Sequence, residues 1–549
     1  MPASDLQALM RATLEQFQHL HRLSGSADAE RSADGLCEQL SQHHIPHRRE
    51  YCDLWLSDPL DATLSVAGQP FEAKTRSFSA HCPEGVEAEI FYDAQSLAFI
   101  PENALASWSN KVRGKLVLAD QGFEDYVQRL MQAGALGLIH IWGSAESALH
   151  EETVGPIWGT PVPDDVQRYP TIPVISINHQ AGAQLRAQLS TQKLTAKITT
   201  RLNEHVATCS LPVVELPGSS DEFVLLSSHY DSWHEGVTDN ATGNALCLAL
   251  AVLFNGQRLL RGLRIAFWPG HSNARYGGST WYADHHRAAL LRDCVAHINV
   301  DSPGCQGGSQ LVVNASGAES TDWLHQAIKA TTGKPADRVT PMGKGGDQSF
   351  WGLGIPLHFA LREVPEQRQS LSPGSGGGWW WHTEEDTIDK VDEDYLWRDF
   401  QIHQRWLESL LFHEPLPIDA AHYLQQIDAA LLQLQGEIDT AFSLKSLRER
   451  VAALITRIEE KSFSAAQLVQ AIGLWHRARY RASDDFHPDL SFHGGAFPGL
   501  QLLRGFRREQ CSPRYWLMLT TQFIRQRDRI GELLAYSERV LSRDSGIDE

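Results

Sequence analysis

From about residue 206 onward the chain alternates short apolar, β-branched segments with helical ones, and this constrains its fold more than any other feature. "EFVLLSSHYD", "GLRIAFWPG", "CVAHINVDSPG", "QLVVNAS" and "PLHFALRE" read as strands, and "NATGNALCLALAVLFN" reads as a helix between the first two. Strands that are apolar throughout must be covered on both faces. The pattern therefore implies an α/β fold with a mixed, mostly parallel sheet flanked by helices. In such sheets ligands usually lie at the carboxyl ends of the strands.

The rest of the 549 residues is organised differently, and the chain is too long for one core. Residues 1–60 begin with two amphipathic helical segments. Residues 61–203 contain "KVRGKLVLAD" and "YPTIPVISI", short strands bounded by Gly and Pro, on either side of "YVQRLMQAGALGLIHI", which reads as helical. That segment is expected to be an α+β insert. Residues 204–415 carry the alternating pattern. Residues 416–549 hold four long stretches of helical period, which predicts a helical bundle.

Composition narrows the function classes. Hydrophobic residues make up 42% and charged residues 21%, as in an ordinary globular protein. The net charge of −19 offers no basic field for nucleic acid or an anionic membrane. Eight scattered cysteines with no CxxC pair read as reduced thiols. The first 25 residues contain acids and glutamines where a signal peptide needs a continuous apolar run, and no stretch of about 18 apolar residues is evident. A cytoplasmic protein without a membrane partner is expected.

Four polar residues stand at strand ends or in the loops after them. His229 closes "FVLLSSH", Asp239 lies in "GVTDNATG", Asp301 closes "HINVD", and His382 follows "GSGGGWWW". Imidazoles and carboxylates together suit a divalent transition metal, and one carboxylate can bridge two ions. Two such ions polarise a carbonyl and activate water at neutral pH. Taken singly each residue is weak evidence in a chain with 25 histidines. Their joint arrival in this order carries the weight.

"HYDSWHEGVTDNATG", "HINVDSPG" and "WHTEEDTIDKVD" resemble the zinc-binding segments of the M28 family of co-catalytic metallopeptidases. The layout is similar to the branch containing glutamate carboxypeptidase II and the transferrin receptors. In that branch a protease-associated domain interrupts the peptidase domain and a helical dimerisation domain follows. "VRGKLVLAD…AGALGLIHI…PTIPVISI" resembles the insert, and "HGGAFPGL" resembles a loop of the helical domain. The resemblance makes 1–60 part of the peptidase domain, 61–203 the protease-associated insert, 204–415 the metal-bearing domain and 416–549 the dimerisation domain. It implies that His229 and Asp301 hold one metal, Asp239 bridges, and His382 holds the second. Asp231 would be the carboxylate that orients His229. The implied cofactor is one or two divalent ions, zinc first, with manganese or cobalt as alternatives. The implied assembly is a homodimer.

The pattern departs from the family in one place. Active members follow the corresponding strand with Gly-Glu-Glu, a general base and then a metal ligand. Here "RIAFWPGHS" puts His271 and Ser272 at those positions. Three readings of His271 stand open. It replaces the missing metal ligand; it acts as general base, with an ordinary pKa near 6.5 suited to neutral pH; or it does neither, in a non-catalytic protein. If His271 is a ligand, the base would come from elsewhere, with His234, Glu235, Glu384 and Glu385 nearby in sequence. Trp380 and Trp381 are candidates for an aromatic pocket wall, Asp347 in "GKGGDQSFW" for a residue near the pocket, and His493 for a lining residue. No arginine cluster can be assigned to a substrate carboxylate. The expected activity is hydrolysis of a peptide or related amide by metal-activated water. The alternatives are an inactive pseudo-peptidase serving as a binding or scaffold protein, and a hydrolase of a small non-peptide amide.

Overall fold

A computed structural model describes residues 2–95, 102–143, 145–364, 378–487 and 495–543. At its centre the strand Phe223–His229, buried at all seven positions, lies parallel to Gly262–Trp268 on one side and to Cys294–Asn299 on the other. Cys294–Asn299 runs parallel to Leu357–Val364, which pairs antiparallel with Gln310–Ala315, and Arg338–Pro341 completes that edge. The sheet is mixed and mostly parallel at its centre, as the apolar strands require.

The helix Thr242–Phe254 covers one face. Its run "LCLALAVLF" has no polar stripe, because the helix is enclosed by the sheet, by Ala3–Phe17 and by Glu393–Phe412. The window Val237–Phe254 is long and apolar enough to cross a membrane, with mean hydropathy 1.3, but 89% of it is buried inside the fold. Burying each of Leu246, Leu248 and Leu250 completely contributes roughly 1.5–3 kcal/mol. Leu6, Met10, Leu14 and Phe17 belong to the same core, so the N-terminal helices are joined to the sheet by packing as well as by chain. Ser26 caps the helix Ala27–Gln42 by accepting the Ala29 N–H at 3.1 Å.

Two long strands, His47–Val66 and Thr195–Leu216, pair antiparallel along almost their whole length, with an irregularity between Pro59 and Asp61. Thr195–Leu216 joins the central sheet through Gly262–Trp268 at one end and continues against Cys82–Tyr92 at the other. The expected boundaries after residues 60 and 203 thus fall inside strands, and the two units share a β-ribbon instead of a flexible linker. In the second unit Cys82–Tyr92, Leu116–Ala119, Gly137–Ile141 and Val174–Ile177 form a parallel run. "YVQRLMQAGALGLIHI" is therefore not one helix. The helix Glu124–Ala133 stops at Gly134, whose φ of 82° closes it, and the chain resumes as the strand Gly137–Ile141.

The C-terminal helices Ala420–Glu437, Lys445–Glu460, Ala465–Tyr480 and Pro513–Val540 enclose their own core, including Tyr423, Leu431, Val451, Trp475 and Leu534. A capping box of Ser464 and Gln467 starts the third of them. None of the eight cysteines is in a disulfide.

Candidate metal centre

The carboxyl ends of the three central strands supply the site. His229 ends the first, one residue before the chain turns, in register with Trp268. Its Nδ1–H donates to the backbone carbonyl of Asp231 at 2.9 Å, leaving Nε2 as the free donor atom. That Nε2 lies 3.1 Å from Asp239 Oδ1 and 3.7 Å from Asp301 Oδ1. The other oxygen of Asp239 lies 3.1 Å from His382 Nε2, so this carboxylate stands between two imidazoles. His382 is set in the same manner as His229, with Nδ1–H donating to the carbonyl of Glu151 at 2.9 Å. Asp239, Asp301 and both histidines are buried.

Burial alone would lower the pKa of His229, but Asp239 and Asp301 outweigh it and hold the imidazole well above its ordinary value. Burial would raise Asp239, yet His229 and His382 pull it well below the usual carboxylate range. Three of these atoms nevertheless lack a hydrogen bond: His229 Nε2, Asp239 Oδ1 and Asp301 Oδ2. Buried polar atoms are rarely left without partners, and three that converge on one place are a donor set suited to a cation.

His271 joins this group. Its ring stacks on that of His229, with centroids 3.6 Å apart and planes 8° from parallel. Nδ1–H donates to Asp347 Oδ2 at 2.8 Å, so Nε2 carries the lone pair. Donor atoms of His229, His271 and Asp301 lie within 4.8 Å of one another. His271 therefore assembles with the His229–Asp301 pair. Those three and the shared Asp239 fit a divalent ion, with imidazole and carboxylate donors of the type zinc takes. His382 and Asp239 supply two donors of a second position.

Other sequence candidates fall elsewhere. Asp231 is fully buried, and its carboxylate accepts the backbone N–H groups of His271 and Ser272 at 3.2 and 3.0 Å. It orients His229 through its carbonyl, while its carboxylate fixes the turn that carries His271. Asp347 lies behind His271 and also accepts from Ser279 Oγ at 2.8 Å. Trp380 packs inward and donates to Thr238 Oγ1 at 3.0 Å, whereas Trp381 stacks on His382 at 3.4 Å and lines the cavity. His493 and residues 365–377, which include most of the glycine run, lie outside the described residues. His234 contacts Glu151, Glu235 contacts His19, and Glu384 and Glu385 are exposed. None of these four lines the cavity.

Several further residues shape the loops of the site, one from the distant N-terminal segment and others from inside the quoted motifs. Arg22, fully buried, donates to the carbonyls of Tyr230 at 2.9 Å and Gly236 at 3.0 Å and clamps the loop between His229 and Asp239. Burial lowers it to about 10, against the pull of Asp386, Asp231 and Asp239. Asp386 accepts from the Thr238 N–H, the Thr238 hydroxyl and the Asp239 N–H at 2.9, 2.7 and 3.0 Å. Gly236 has a φ of 49°, and any Cβ there would press into the Asp239 carbonyl and the Ser232 side chain. Ser302 and His382 also adopt left-handed backbone conformations, at φ 56° and 59°. Non-glycine residues held there store strain of order 1 kcal/mol each, a feature that clusters at functional sites. A cavity of about 130 Å³ opens onto His271, Asp301 and His382. The second unit closes it with Phe123, Glu124 and Glu152, and the peptide N–H of Gly159 in that unit donates to the Arg275 carbonyl at 2.7 Å.

Fold and donors together define an α/β domain with a cluster of divalent-cation donors at the carboxyl edge of its sheet. Residues 213–406 match the model of peptidase family M28, and all the donors lie within that segment. The fold is similar to an aminopeptidase from Aneurinibacillus sp. strain AM-1 (20% identity, TM-score 0.59, covering 75% of this chain and 96% of that one). It is also similar to BSAP, a zinc aminopeptidase from Bacillus subtilis (19%, 0.56, covering 75% and 96%). A third likeness is to a peptidase M28 precursor from Shewanella amazonensis SB2B (17%, 0.56, covering 76% and 100%). No curated protein matches the chain by sequence.

Proposed function

We propose that this chain is a metal-dependent peptidase, or hydrolase of a closely related amide, in which His271 is a metal donor. The observation that carries the reading is the convergence of three buried, unpartnered donor atoms, on His229, Asp239 and Asp301, beside the Nε2 of His271. The M28 match and the fold shared with zinc aminopeptidases support it. A divalent ion held there would supply Lewis acidity, polarising the scissile carbonyl and lowering the pKa of water.

The chain's own residues do the rest. Asp347 fixes the His271 tautomer, the Asp231 and Glu151 carbonyls fix those of His229 and His382, and Trp381 with Trp233 shields one side of the cavity from water. A second reading has a specific observation in its favour. His271 backed by a buried carboxylate, with Nε2 toward the cavity, has the arrangement of a general base. The branch with glutamate carboxypeptidase II remains part of this proposal, as does replacement of its Glu-Glu pair by His271 and Ser272.

Metal analysis after equilibration with zinc, manganese and cobalt tests the function, together with turnover of aminoacyl, dipeptide and N-acyl amino acid substrates. The proposal expects at least one bound equivalent and turnover abolished by chelation. No bound metal, or turnover indifferent to chelation, refutes it. His271→Ala separates the two roles: loss of a metal equivalent marks a ligand, and lost turnover with full metal marks a base.

A further inference from the structure

We infer that Glu152, supplied by the second unit, is the general base of this cavity: its carboxylate takes the proton of the attacking water, a task left open once His271 serves as a metal donor. The inference rests on the hydrolase reading above.

Among the described residues the carboxylates that line the cavity are Glu124, Glu152 and Asp301. Asp301 belongs to the donor group with His229 and His271. Glu124 is held by Arg275, and burial pushes its carboxyl up to about 7 against the pull of that arginine. Glu152 is the uncommitted one. It is half-buried and makes no ion pair among the described residues, and its Oε1 accepts the N–H of the next residue, Thr153, at 2.9 Å.

Backbone bonding carries Glu152 to the site. The Glu151 N–H donates to the His382 carbonyl at 2.8 Å, and His382 Nδ1–H donates back to the Glu151 carbonyl at 2.9 Å. Within the second unit, the Ser77 N–H donates to the Glu152 carbonyl at 3.0 Å and the Val154 N–H to the Ser77 carbonyl at 2.9 Å. The segment is thus fixed between its own unit and a metal donor. Successive side chains of an extended segment point to opposite sides. Glu151 turns to Lys74 and His234, at 2.7 and 3.2 Å, while Glu152 lines the cavity shared by His271, Asp301 and His382. Its charge is felt at His382: burial would lower that imidazole, and Asp239 and then Glu152 raise it. Glu152 is not one of the clustered donors, which suits a base that acts on a water and not a ligand.

In the step, one proton of the water passes to the Glu152 carboxylate as the water oxygen bonds to the amide carbon and the carbonyl π electrons move onto their oxygen. When the C–N bond breaks and the carbonyl re-forms, that proton passes to the departing nitrogen, which leaves as an amine. The carboxylate is regenerated, and no further reactant is consumed.

The test uses the full-length, metal-loaded protein and aminoacyl, dipeptide and N-acyl amino acid substrates. Glu152→Gln keeps the side chain's size and an oxygen for the Thr153 N–H but cannot take the proton. It should lower kcat by about 10²–10⁴-fold with KM little changed. Its metal content, and its calorimetric binding of the same substrates, should equal those of the natural protein. Glu152→Ala should be equally impaired, and added formate should restore its turnover in a saturable way, since a small carboxylate can fill the vacated place. Glu152→Gln as active as the natural protein overturns this inference alone. So does loss of a metal equivalent, which makes Glu152 a ligand, or a raised KM with kcat intact, which makes it a binding residue. Lost turnover in both variants with no response to formate marks a structural role and overturns it as well. If the natural protein turns over no substrate, the hydrolase reading fails and this inference falls with it.

Discussion

The contact between Asp347 and His271 offers a sharp perturbation, Asp347→Asn. Asp347 is fully buried and makes two hydrogen bonds of 2.8 Å, one from His271 Nδ1 and one from Ser279 Oγ. The substitution preserves shape and removes charge. An asparagine amide that faces Nδ1 with its NH2 forces the proton onto Nε2, the atom that should carry the lone pair. A hydrogen bond to a charged group is worth about 1.5–3 kcal/mol, or roughly tenfold to 150-fold in an equilibrium constant. Partners behind a metal-ligating histidine commonly govern about 10–100-fold in affinity or activity. Zinc affinity, measured by competition with a chromophoric chelator, should therefore weaken by about 10–100-fold in Asp347→Asn, with the fold retained. Ser279→Ala, which removes the other bond along with the Ser279 Oγ contacts to the Tyr276 carbonyl and Ser349 Oγ but spares the bond to His271, should leave zinc affinity within about twofold. The double variant with His271→Ala is decisive. If Asp347 acts through His271, adding Asp347→Asn to that background costs nothing further. An undiminished cost there refutes the reasoning.

Three further outcomes follow from the same geometry. Burial pushes Glu319 up to about 7, against the opposing pull of Ser316 and Arg479. Between about pH 4.5 and 7 the folded state therefore holds a proton that the unfolded state has released, and stability falls by about 3 kcal/mol as pH rises through that window. Glu319→Gln should remove this fall, seen as a flatter profile of denaturation midpoint against pH. Asp386→Ala leaves the Thr238 and Asp239 N–H groups without their acceptor; a loss of about 2–5 kcal/mol in urea unfolding is expected, with weaker zinc binding. Leu248→Ala, at a fully buried position of the helix Thr242–Phe254, should cost about 2–5 kcal/mol of stability while the stoichiometry of bound metal is unchanged.

What sequence reveals here depends on where each structural signal is written. Phe223–His229, Gly262–Trp268 and Cys294–Asn299 were legible because burial on both faces leaves an unbroken apolar run, and His229 and Asp301 stand out where those runs stop. The ribbon of His47–Val66 and Thr195–Leu216 was not legible. Much of it faces water, so it carries Arg, Asp, Asn and even Pro59, and reads as a boundary between units. The same logic separates the acids after His382. Glu384, Glu385 and Asp386 form one polar run resembling a solvated helix start, yet only Asp386 is buried, spent on the N–H groups of Thr238 and Asp239 nearly 150 positions earlier. Arg22, Glu152 and Arg362 likewise reach the cavity region from three separated stretches, two of them outside the matched M28 segment. A donor set built from strand ends leaves a local signature, because the strand itself is visible. The residues that set its loops and line its cavity act across chain distances at which neighbouring sequence holds no trace of them. His271 belongs to both groups: its position follows from the strand before it, and its tautomer from Asp347, 76 residues later.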